Sequence, residues 1–475
     1  MYFKRDIEDD ILAWYNSSDK KVLRVDGARQ VGKTATIDHF IAKHYTNVIK
    51  LDLARLDYSW FLNCINGSTN NWARIDADRF RDAIKDYARF TNDKNTVIFI
   101  DEIQQDYRIY NQLRTLNRDL KCDVIASGSY LSRALNTEYF QSVGDVTTIT
   151  LYTLSFCEFL HVFNDSIYNT VMGWPENEID NETLDKLRKL FNYYTLTGGY
   201  PEVLNGFIKH KMNYEEVLTI LSNIIDLTLE ESKSKIESVV DRLKIDDVAE
   251  GLLTTLITNK RGSTNLYESI VKNISGKPNS RISKDDCSKV ISWFRECRML
   301  GMVSKYILPD MFRDYSGEKD YFLDLGMLRM FARTAKIVGS DLNGLIAETF
   351  VHRAMITNDY AKKFTGTRPH FGIYKDGEID FFAYCNADKC NYAFEVKYGN
   401  QSGKTATDLI KNHVADKIVY FMGNHNHAVN GDVEIVPLCL AERWFREVKY
   451  ETFEPFDTSL FDANVFTEDA ALSEP

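Results

Sequence analysis

The sequence predicts a multidomain protein of the α/β class. With 475 residues, the chain is too long for one hydrophobic core, and two to four domains are expected. Short apolar runs at Val22–Val25, Val97–Ile100 and Cys122–Ala126 end in polar or glycine-rich turns, which is typical of buried parallel strands. A segment with helical spacing, which carries Ile37 and Phe40, follows the first run. This alternation of strand and helix favours a parallel sheet covered by helices.

A glycine-rich turn connects the first of these strands to its helix. It has the P-loop spacing, Gly, four residues, then Gly-Lys-Thr, and it consists of Gly27, Ala28, Arg29, Gln30, Val31, Gly32, Lys33 and Thr34. Backbone N–H groups and the helix dipole converge on such a turn, which makes it an anion site. In this pattern Lys33 reaches the outer phosphates and the Thr34 hydroxyl ligates Mg²⁺. The turn therefore predicts binding of ATP with Mg²⁺. A glycine-rich loop without a ligand would leave the Lys-Thr pair unexplained.

The apolar run at Val97–Ile100 ends in a pair of acidic residues, Asp101 and Glu102, which is a Walker B pattern. In an open α/β sheet, ligands bind at the carboxyl edge, where this strand delivers both carboxylates. We expect Asp101 to hold Mg²⁺, directly or through water, and Glu102 to polarise the attacking water. The two motifs together predict nucleotide hydrolysis.

Two strands separated by a short turn carry the chemistry of the C-terminal region. Asp380 lies on the first strand, and Glu395 and Lys397 lie on the second, which resembles the PD-(D/E)xK nuclease core. If the hairpin is centred between residues 387 and 388, Asp380 faces Glu395 and Glu378 faces Lys397, so all four share one face. Mg²⁺ held by Asp380, Glu395 and Glu348 would neutralise the opposed carboxylates. The pattern predicts metal-assisted phosphodiester hydrolysis with Lys397 acting on water. The alternative is a nuclease-like binding scaffold with a Glu378–Lys397 ion pair.

Residues 245–335 show short helices followed by a hairpin, which is the order of a winged helix. Between residues 255 and 305, ten Lys or Arg stand against four acidic residues, a local balance of +6. A helix that carries Lys284, Lys289, Arg295 and Arg298 would meet the phosphates of DNA. Winged helices also serve as packing or oligomer modules, and a run of charge is often a solvated face. Both readings stay open for this segment.

Several segments together carry a resemblance to one protein family. They are the P-loop, residues 99–104 and 127–129, Leu-Ser-Phe-Cys-Glu-Phe-Leu at 154–160, Gly-Gly-Tyr-Pro-Glu at 198–202, and Tyr-Phe-Leu-Asp-Leu-Gly at 321–326. The chain resembles a large prokaryotic group of AAA-type ATPases with a C-terminal domain of unknown function. The resemblance implies that Ser127 or Ser129 senses the γ-phosphate; helix capping by Ser129 is the alternative.

The resemblance and the residue patterns together predict five regions. They are an AAA-type ATPase core at 1–160, a helical lid at 161–240, a winged-helix-like domain at 241–335, a restriction-endonuclease-like α/β domain of the PD-(D/E)xK type at 336–455, and an acidic tail at 456–475. The leading hypothesis is ATP-dependent action on nucleic acid. The opposing hypothesis is a nucleotide-switched signalling or scaffold ATPase whose C-terminal domain only binds a partner.

The chain departs from the family at one position. Relatives carry Gly-Arg shortly before the Leu-Ser-Phe segment, and this sequence has Gly144-Asp145. If that arginine touches nucleotide in the same or a neighbouring subunit, this chain lacks it, and hydrolysis is slow or depends on Arg133. AAA proteins are commonly hexamers, so a homo-oligomer is an open expectation that the missing arginine weakens.

Composition limits the compartment and the partners. The net charge of −11 disfavours non-specific binding of nucleic acid by the chain as a whole. No run of 18 apolar residues predicts a transmembrane helix, and the N-terminus lacks the apolar core of a signal peptide. Eight scattered cysteines without a Cys-x-x-Cys pair favour reduced thiols. We therefore expect a cytoplasmic protein without a membrane partner.

Overall fold

The computed structural model describes residues 1–55, 65–66, 74–75, 91–129, 144–211, 213–236, 240, 242–258, 268–271, 282–399 and 403–452. The first part of the chain forms a five-stranded parallel sheet in the order β2-β5-β6-β1-β7. Its strands are β1 (Val22–Gly27), β2 (Asn47–Asp52), β5 (Thr96–Asp101), β6 (Asp123–Gly128) and β7 (Val146–Leu151). A separate short pair consists of β3 (Ile65–Asn66) and β4 (Arg74–Ile75). The three predicted strands of this sheet are confirmed, and they are parallel.

Helices flank this sheet and continue into a helical segment. The first four are α1 (Ile7–Tyr15), α2 (Lys33–His44), α3 (Tyr107–Tyr110) and α4 (Leu113–Asp119). The next six are α5 (Phe156–Phe163), α6 (Asp165–Met172), α7 (Asn181–Thr197), α8 (Pro201–Lys209), α9 (Tyr214–Ile236) and α10 (Arg242–Thr258). The helix predicted around residues 264–271 lies mostly outside the described residues. The helices expected between residues 160 and 240 are confirmed.

The rest of the chain forms a mixed sheet of eight strands in the order β14-β15-β13-β12-β11-β10-β8-β9. The strands are β8 (Leu300–Ile307), β9 (Phe312–Phe322), β10 (His370–Tyr374), β11 (Gly377–Cys385), β12 (Cys390–Lys397), β13 (Lys417–Met422), β14 (Ala428–Asn430) and β15 (Val433–Pro437). Its helices are α11 (Lys284–Glu296), α12 (Leu325–Thr334), α13 (Gly339–Thr357), α14 (Tyr360–Lys363), α15 (Lys404–Lys411) and α16 (Ala441–Glu447). The chain therefore combines a parallel sheet with a second, mixed sheet.

The register predicted for the C-terminal hairpin is confirmed. Phe381 pairs with Phe394, and Cys385 pairs with Cys390, on antiparallel strands β11 and β12. Both pairs fit a turn centred between residues 387 and 388. Since side chains alternate along a strand, this register places the polar residues of both strands on one face and the apolar residues on the other.

The hairpin of β8 and β9, expected as the wing of a winged helix, belongs to the eight-stranded sheet. Strand β8 pairs in parallel with β10, with Ser304 opposite His370. The preceding helix α11 opens at Ser283 with a capping box, in which the Ser283 hydroxyl accepts the N–H of Asp286 at 3.0 Å. Helix and hairpin are both present, but the sheet continues across the boundary predicted between residues 335 and 336.

One large cluster of buried apolar side chains runs through the structure, from Phe3 near the N-terminus to Phe445 on α16. It includes Leu23 and Val25 of the parallel sheet and Phe394 of the mixed sheet. The two sheets therefore share one core. The cysteines within the described ranges are free thiols. In the same part of the chain, no helix has both the length and the apolar character needed to cross a membrane.

Candidate functional site

The P-loop lies between β1 and α2, as predicted. Gly32 has a φ of +96°, in the left-handed region, and α2 begins at the next residue, Lys33. Gly27 allows a close approach, because a Cβ there would lie 2.2 Å from the carbonyl oxygen of Leu151. The Lys33 ammonium is buried and donates to the carbonyls of Gly27 at 3.0 Å and Ala28 at 2.7 Å. Burial lowers the pKa of Lys33 to about 8, because it disfavours the charged ammonium, and an anionic partner beside it would raise this pKa again.

The carboxylate of Asp101 connects three parts of the nucleotide site. The Thr34 hydroxyl donates to its Oδ2 at 2.7 Å, and the Ser127 hydroxyl donates to its Oδ1 in a short hydrogen bond. The N–H of Glu102 also donates to Oδ1, at 3.0 Å. The sheet order explains the arrangement, because β6, which ends beyond Ser127, lies between the P-loop strand and the Walker B strand. Of the two serines considered as sensors, Ser127 contacts the Walker B aspartate.

Glu102 is held by a residue that the sequence did not single out. It has a φ of +54°, which is uncommon for a non-glycine residue. The Gln104 amide donates to the carboxylate of Glu102, and it also donates to the Ser129 hydroxyl at 3.2 Å. Gln104 therefore connects the predicted water-polarising group to the end of β6. The signal available in the sequence was the place of Gln104 at the end of the family segment 99–104, two residues after Glu102.

Asp145, at the family's arginine position, lies away from the P-loop. It directly precedes β7, and its carbonyl accepts the N–H of Val22, at the start of β1. The P-loop follows the opposite end of that strand, whose 6 residues span roughly 20 Å. The Asp145 carboxylate accepts from Arg118 at 3.2 Å. This position therefore lies about one strand length from the P-loop of its own chain. Arg133 lies outside the described residues.

Three of the family segments, 154–160, 198–202 and 321–326, meet at one junction. The Asp324 carboxylate accepts the N–H of Gly199 at 2.8 Å and caps α12 by accepting the N–H of Met327 at 3.0 Å. The N–H of Leu154 donates to the carbonyl of Gly199 at 2.7 Å. A Cβ on Gly199 would lie 2.1 Å from the Leu154 carbonyl oxygen, so only glycine fits. A small cleft lies beside this junction, and its lining includes Val31 of the P-loop and Arg298.

The second cluster of chemical groups lies on the mixed sheet. The Lys397 ammonium lies 2.5 Å from Oε1 of Glu395 and 3.8 Å from Oδ2 of Asp380. The same Asp380 oxygen accepts the N–H of Val396 at 2.7 Å. Glu348 of α13 accepts the hydroxyl of Tyr321 at 3.1 Å. The structure therefore places Asp380 and Glu395 in contact with Lys397, and it places Glu348 near enough to interact with the charges of Asp380 and Lys397.

Glu378 belongs to the same face but has a different partner from the one considered. Lys319 of β9 lies 2.5 Å from its carboxylate, and the Lys319 ammonium also stands 4.6 Å from the ring centre of Phe371. Lys319 was not predicted, because it lies about sixty residues earlier and comes into place only through the pairing of β8 with β10. The scaffold reading predicted an ion pair between Glu378 and Lys397. In the structure, Glu378 pairs with Lys319 and Lys397 pairs with Glu395.

The acidic groups of this cluster repel one another. Burial and the neighbouring charge of Asp380 raise the pKa of Glu348 to about 7 and that of Glu395 to about 7. Within the described ranges, Oε2 of Glu395 is buried without a hydrogen-bond partner. Buried carboxylate oxygens of this kind suit a hard cation such as Mg²⁺. However, no three histidine, cysteine or carboxylate side chains of the described residues are arranged as a set of metal ligands. The predicted ligands therefore lie near one another without forming such a set, and Lys397 contacts Glu395 and Asp380.

The four basic residues predicted to meet DNA do not form one free surface. Arg295 is bound by Asp320 at 2.7 Å and Glu318 at 2.9 Å, and the Asp320 side chain is fully buried. Lys289 lies 2.6 Å from Asp285 on its own helix. Arg298 is exposed beside the P-loop cleft, and Lys284 is exposed at the start of α11.

Two family comparisons cover separate parts of the chain. Residues 19–160 match the AAA domain family. This part of the chain is an AAA-type P-loop ATPase domain. Residues 188–336 match a domain of unknown function (DUF8612). That match crosses the boundary predicted at residue 240 and ends one residue after the boundary predicted at 335. No curated protein matches the chain.

Solved structures with some likeness to the chain include a RuvB motor and two ORC proteins. The RuvB Holliday junction branch migration motor of Thermotoga maritima is 13% identical, with a TM-score of 0.28, over 67% of this chain and 92% of RuvB. Drosophila ORC bound to DNA is 12% identical, with a TM-score of 0.25, over 70% and 95%. The ORC1 protein of Aeropyrum pernix in complex with DNA is 11% identical, with a TM-score of 0.28, over 71% and 95%. At these scores the likeness carries no argument about the present chain.

Proposed function

We propose that the AAA domain binds ATP with Mg²⁺ and hydrolyses it. The observation that carries this proposal is the Asp101 carboxylate, which receives the hydroxyls of both Thr34 and Ser127. Thr34 belongs to the P-loop and Asp101 to the Walker B strand, so the two groups that would hold Mg²⁺ are already adjacent. When bound, Mg²⁺ neutralises the charge that develops on the phosphates.

Each residue of the site has a distinct part in this reaction. The Lys33 ammonium donates to two P-loop carbonyls in this structure. It would turn from them to the outer phosphates of ATP. Glu102 would orient the attacking water, and Gln104 would hold Glu102 in place. Ser127 fixes the orientation of the Asp101 carboxylate.

ATP turnover by the full chain tests this function. Lys33→Ala and Asp101→Asn are each expected to lower kcat by about 100-fold or more, because Lys33 would neutralise charge on the phosphates and Asp101 would hold the Mg²⁺ that does the same. Lys43→Ala is the matched control, since Lys43 lies on the same helix with its side chain 55% exposed. Equal turnover in all four proteins would overturn the proposal.

The carboxylate cluster of the mixed sheet supports a second activity, metal-assisted phosphodiester hydrolysis. The observation in its favour is that Lys397 lies close to both Glu395 and Asp380 on one face of the sheet, while Glu348 of helix α13 lies near enough for the charge of Asp380 to raise its pKa. In this proposal the three carboxylates would hold Mg²⁺, which activates water when bound. Lys397 would leave Glu395 to position that water. The competing proposal is a partner-binding scaffold, and it draws on the present contacts of Lys397 with the carboxylates.

Cleavage of linear, circular and single-stranded DNA with Mg²⁺ or Mn²⁺ separates these two proposals. Asp380→Ala should abolish cleavage, whereas Asp376→Ala, an exposed acidic residue in the preceding turn, should leave it unchanged. Loss of cleavage in Lys33→Ala would show that nucleotide controls the second site. No cleavage in a preparation that hydrolyses ATP would favour the scaffold.

DNA contact through the segment around α11 is also a proposal. The contacts of Arg295 and Lys289 leave Lys284 and Arg298 as the two exposed cations of the predicted set. DNA binding through both residues would weaken with salt. The logarithm of the binding constant would fall with the logarithm of the salt concentration, with a slope of about one for each phosphate contact. DNA affinity that is independent of salt, or unchanged in Lys284→Glu, would exclude this surface.

A further inference from the structure

A buried arginine outside the predicted motifs, Arg5, forms a hydrogen bond to the P-loop. Arg5 is 4% exposed and precedes the part of the chain that matches the AAA family. Its Nη1 donates to the carbonyl of Val31 at 2.9 Å, and its Nη2 donates to the carbonyl of Tyr152 at 2.7 Å. Its Nε donates to Oε1 of Glu158 at 3.0 Å. One guanidinium thus joins the P-loop, the end of β7 and the first turn of α5.

The anionic partner of Arg5 is itself fixed in place. Oε1 of Glu158 also accepts the N–H of Asp6 at 2.7 Å, and Oε2 accepts the N–H of Ser155 at 2.7 Å. The Ser155 hydroxyl completes the capping box by accepting the N–H of Glu158 at 3.0 Å. Since every oxygen of the carboxylate is engaged, Arg5 is held by a rigid element.

The same cluster reaches the C-terminal helix α16. Arg446 contacts the Asp6 carboxylate in a short ion pair and lies 3.2 Å from Glu442. Glu442 is 1% exposed, and its Oε2 accepts the N–H of Phe156 at 2.8 Å. Arg446 also donates to the Ser155 hydroxyl at 3.4 Å. Residues from both ends of the chain therefore meet at the start of α5.

Helix α16 in turn packs on the mixed sheet. The rings of Phe445 and Phe394 have their centres 5.5 Å apart, and the rings of Trp444 and Phe394 have theirs 5.7 Å apart. Phe394 lies on β12 directly before Glu395. A continuous set of contacts therefore connects the P-loop to the strand that carries the second cluster.

The contact of Arg5 with Val31 bears on phosphate binding through the geometry of the peptide bond. In a planar trans peptide, the carbonyl of residue 31 and the N–H of residue 32 point in opposite directions. A donor that fixes the Val31 carbonyl on one side of the loop therefore aims the N–H of Gly32 to the other side. P-loop N–H groups are the donors that hold phosphate, so their direction decides affinity.

We propose that Arg5 is a positioning residue of the nucleotide site, and that it makes nucleotide affinity depend on helix α16 through Asp6 and Arg446. This inference rests on the proposed function, because it requires nucleotide at the P-loop. Arg5 touches no reacting atom. It acts through Val31, and α16 acts through the cluster that holds Arg5.

Binding of a fluorescent ATP analogue with Mg²⁺ to the full chain tests the proposal. Arg5→Ala is expected to raise Kd by about 10- to 100-fold, in the range seen when a group that orients a ligand is removed. Arg446→Ala, far along the chain, is expected to raise Kd by about 5-fold or more. The double variant should bind more tightly than the product of the two single effects predicts, because both act through one cluster.

The matched control is Arg443→Ala on the same helix. Arg443 is also buried, and it donates to the carbonyls of Val171 at 3.2 Å and Met172 at 2.8 Å, away from the Arg5 cluster. It should leave Kd within about twofold of wild type. Arg5→Lys and Arg446→Lys serve if an alanine variant does not fold; each should show an intermediate Kd. Circular dichroism establishes that each variant is folded.

The outcomes separate this inference from the proposed function. A wild-type protein that does not bind the analogue would refute both. Binding by wild type with an unchanged Kd in Arg5→Ala, or in Arg5→Lys where alanine does not fold, would refute the positioning role alone. An equal Kd for the Arg446 and Arg443 variants would refute the link to α16.

Discussion

Two neighbouring buried residues on α13 should respond to substitution in opposite ways. Arg353 is 1% exposed and donates to the carbonyls of Leu323 at 3.0 Å, Thr153 at 2.7 Å and Leu154 at 2.9 Å. Arg353→Met leaves these carbonyls without that donor, at a cost of about 4 kcal/mol in the free energy of unfolding. The substitution would weaken the contact of α13 with residues Thr153 and Leu154 of the AAA domain.

His352 has the opposite character. It is fully buried, and neither ring nitrogen has a hydrogen-bond partner among the described residues. Its ring stacks on Tyr321, with the centres 4.9 Å apart. His352→Phe keeps a stacked ring and removes two unsatisfied polar atoms, so we expect the free energy of unfolding to rise by about 1 kcal/mol at pH 7.

The difference for His352 should grow in acid. Burial lowers the pKa of its imidazole from 6.5 to about 3. Below pH 6.5 the unfolded chain takes up a proton that the folded protein excludes. This uptake stabilises the unfolded state, so the free energy of unfolding of the wild-type protein falls as the pH falls towards 3. The loss is about 1.4 kcal/mol for each pH unit, or roughly 2 kcal/mol at pH 5, and it is absent from His352→Phe.

Urea unfolding followed by circular dichroism at pH 7 and pH 5 measures these differences. The control is His210→Gln, an exposed histidine that should not change the pH dependence. A His352→Phe variant that is less stable than wild type, with a gap independent of pH, would refute the assignment of His352 as a buried neutral group. An unchanged midpoint in Arg353→Met would refute the role given to Arg353.

Three further substitutions have defined outcomes. Gln104→Ala should lower kcat for ATP by about 10-fold with little change in KM, since it releases Glu102; an unchanged kcat in a turnover assay would contradict this. Ser127→Ala should raise the Mg²⁺ concentration needed for half-maximal turnover by about 10-fold, which a Mg²⁺ titration checks, and a lower requirement would speak against it. Arg295→Gln should destabilise the protein by about 3 kcal/mol, because the buried Asp320 loses its partner, while DNA affinity stays the same; thermal unfolding and DNA titration test both parts.

The sequence predicted best where a local signal fixes the geometry. The P-loop and the Walker B strand are short patterns whose backbone requirements are met within a few residues. The register of β11 and β12 followed from the position of one turn, because a period of two leaves no freedom once the turn is placed. The meeting of Asp380, Glu395 and Lys397 therefore could be predicted from two adjacent segments.

What the sequence did not predict depends on pairing between distant segments. The parallel pairing of β8 with β10 joins residues more than sixty positions apart and brings Lys319 to Glu378. The local excess of basic residues around α11 was counted without Asp320 and Glu318, which arrive on β9 and bind Arg295. The count of basic residues along the sequence therefore did not predict the charge of the folded surface around α11.

The family signatures are better explained by the junction they build than by catalysis. Gly199 approaches the Leu154 carbonyl, and Gly326 approaches the carbonyl of Thr197, where a Cβ would lie 2.6 Å from the oxygen. These contacts fix the helices next to the P-loop, and Arg353 adds the mixed sheet to them. Because both sheets share one apolar core, a change at the P-loop has few ways to be absorbed locally. The family signatures therefore describe how the P-loop is attached to the rest of the molecule. The groups proposed to react are Asp101, Glu102 and the cluster around Glu395.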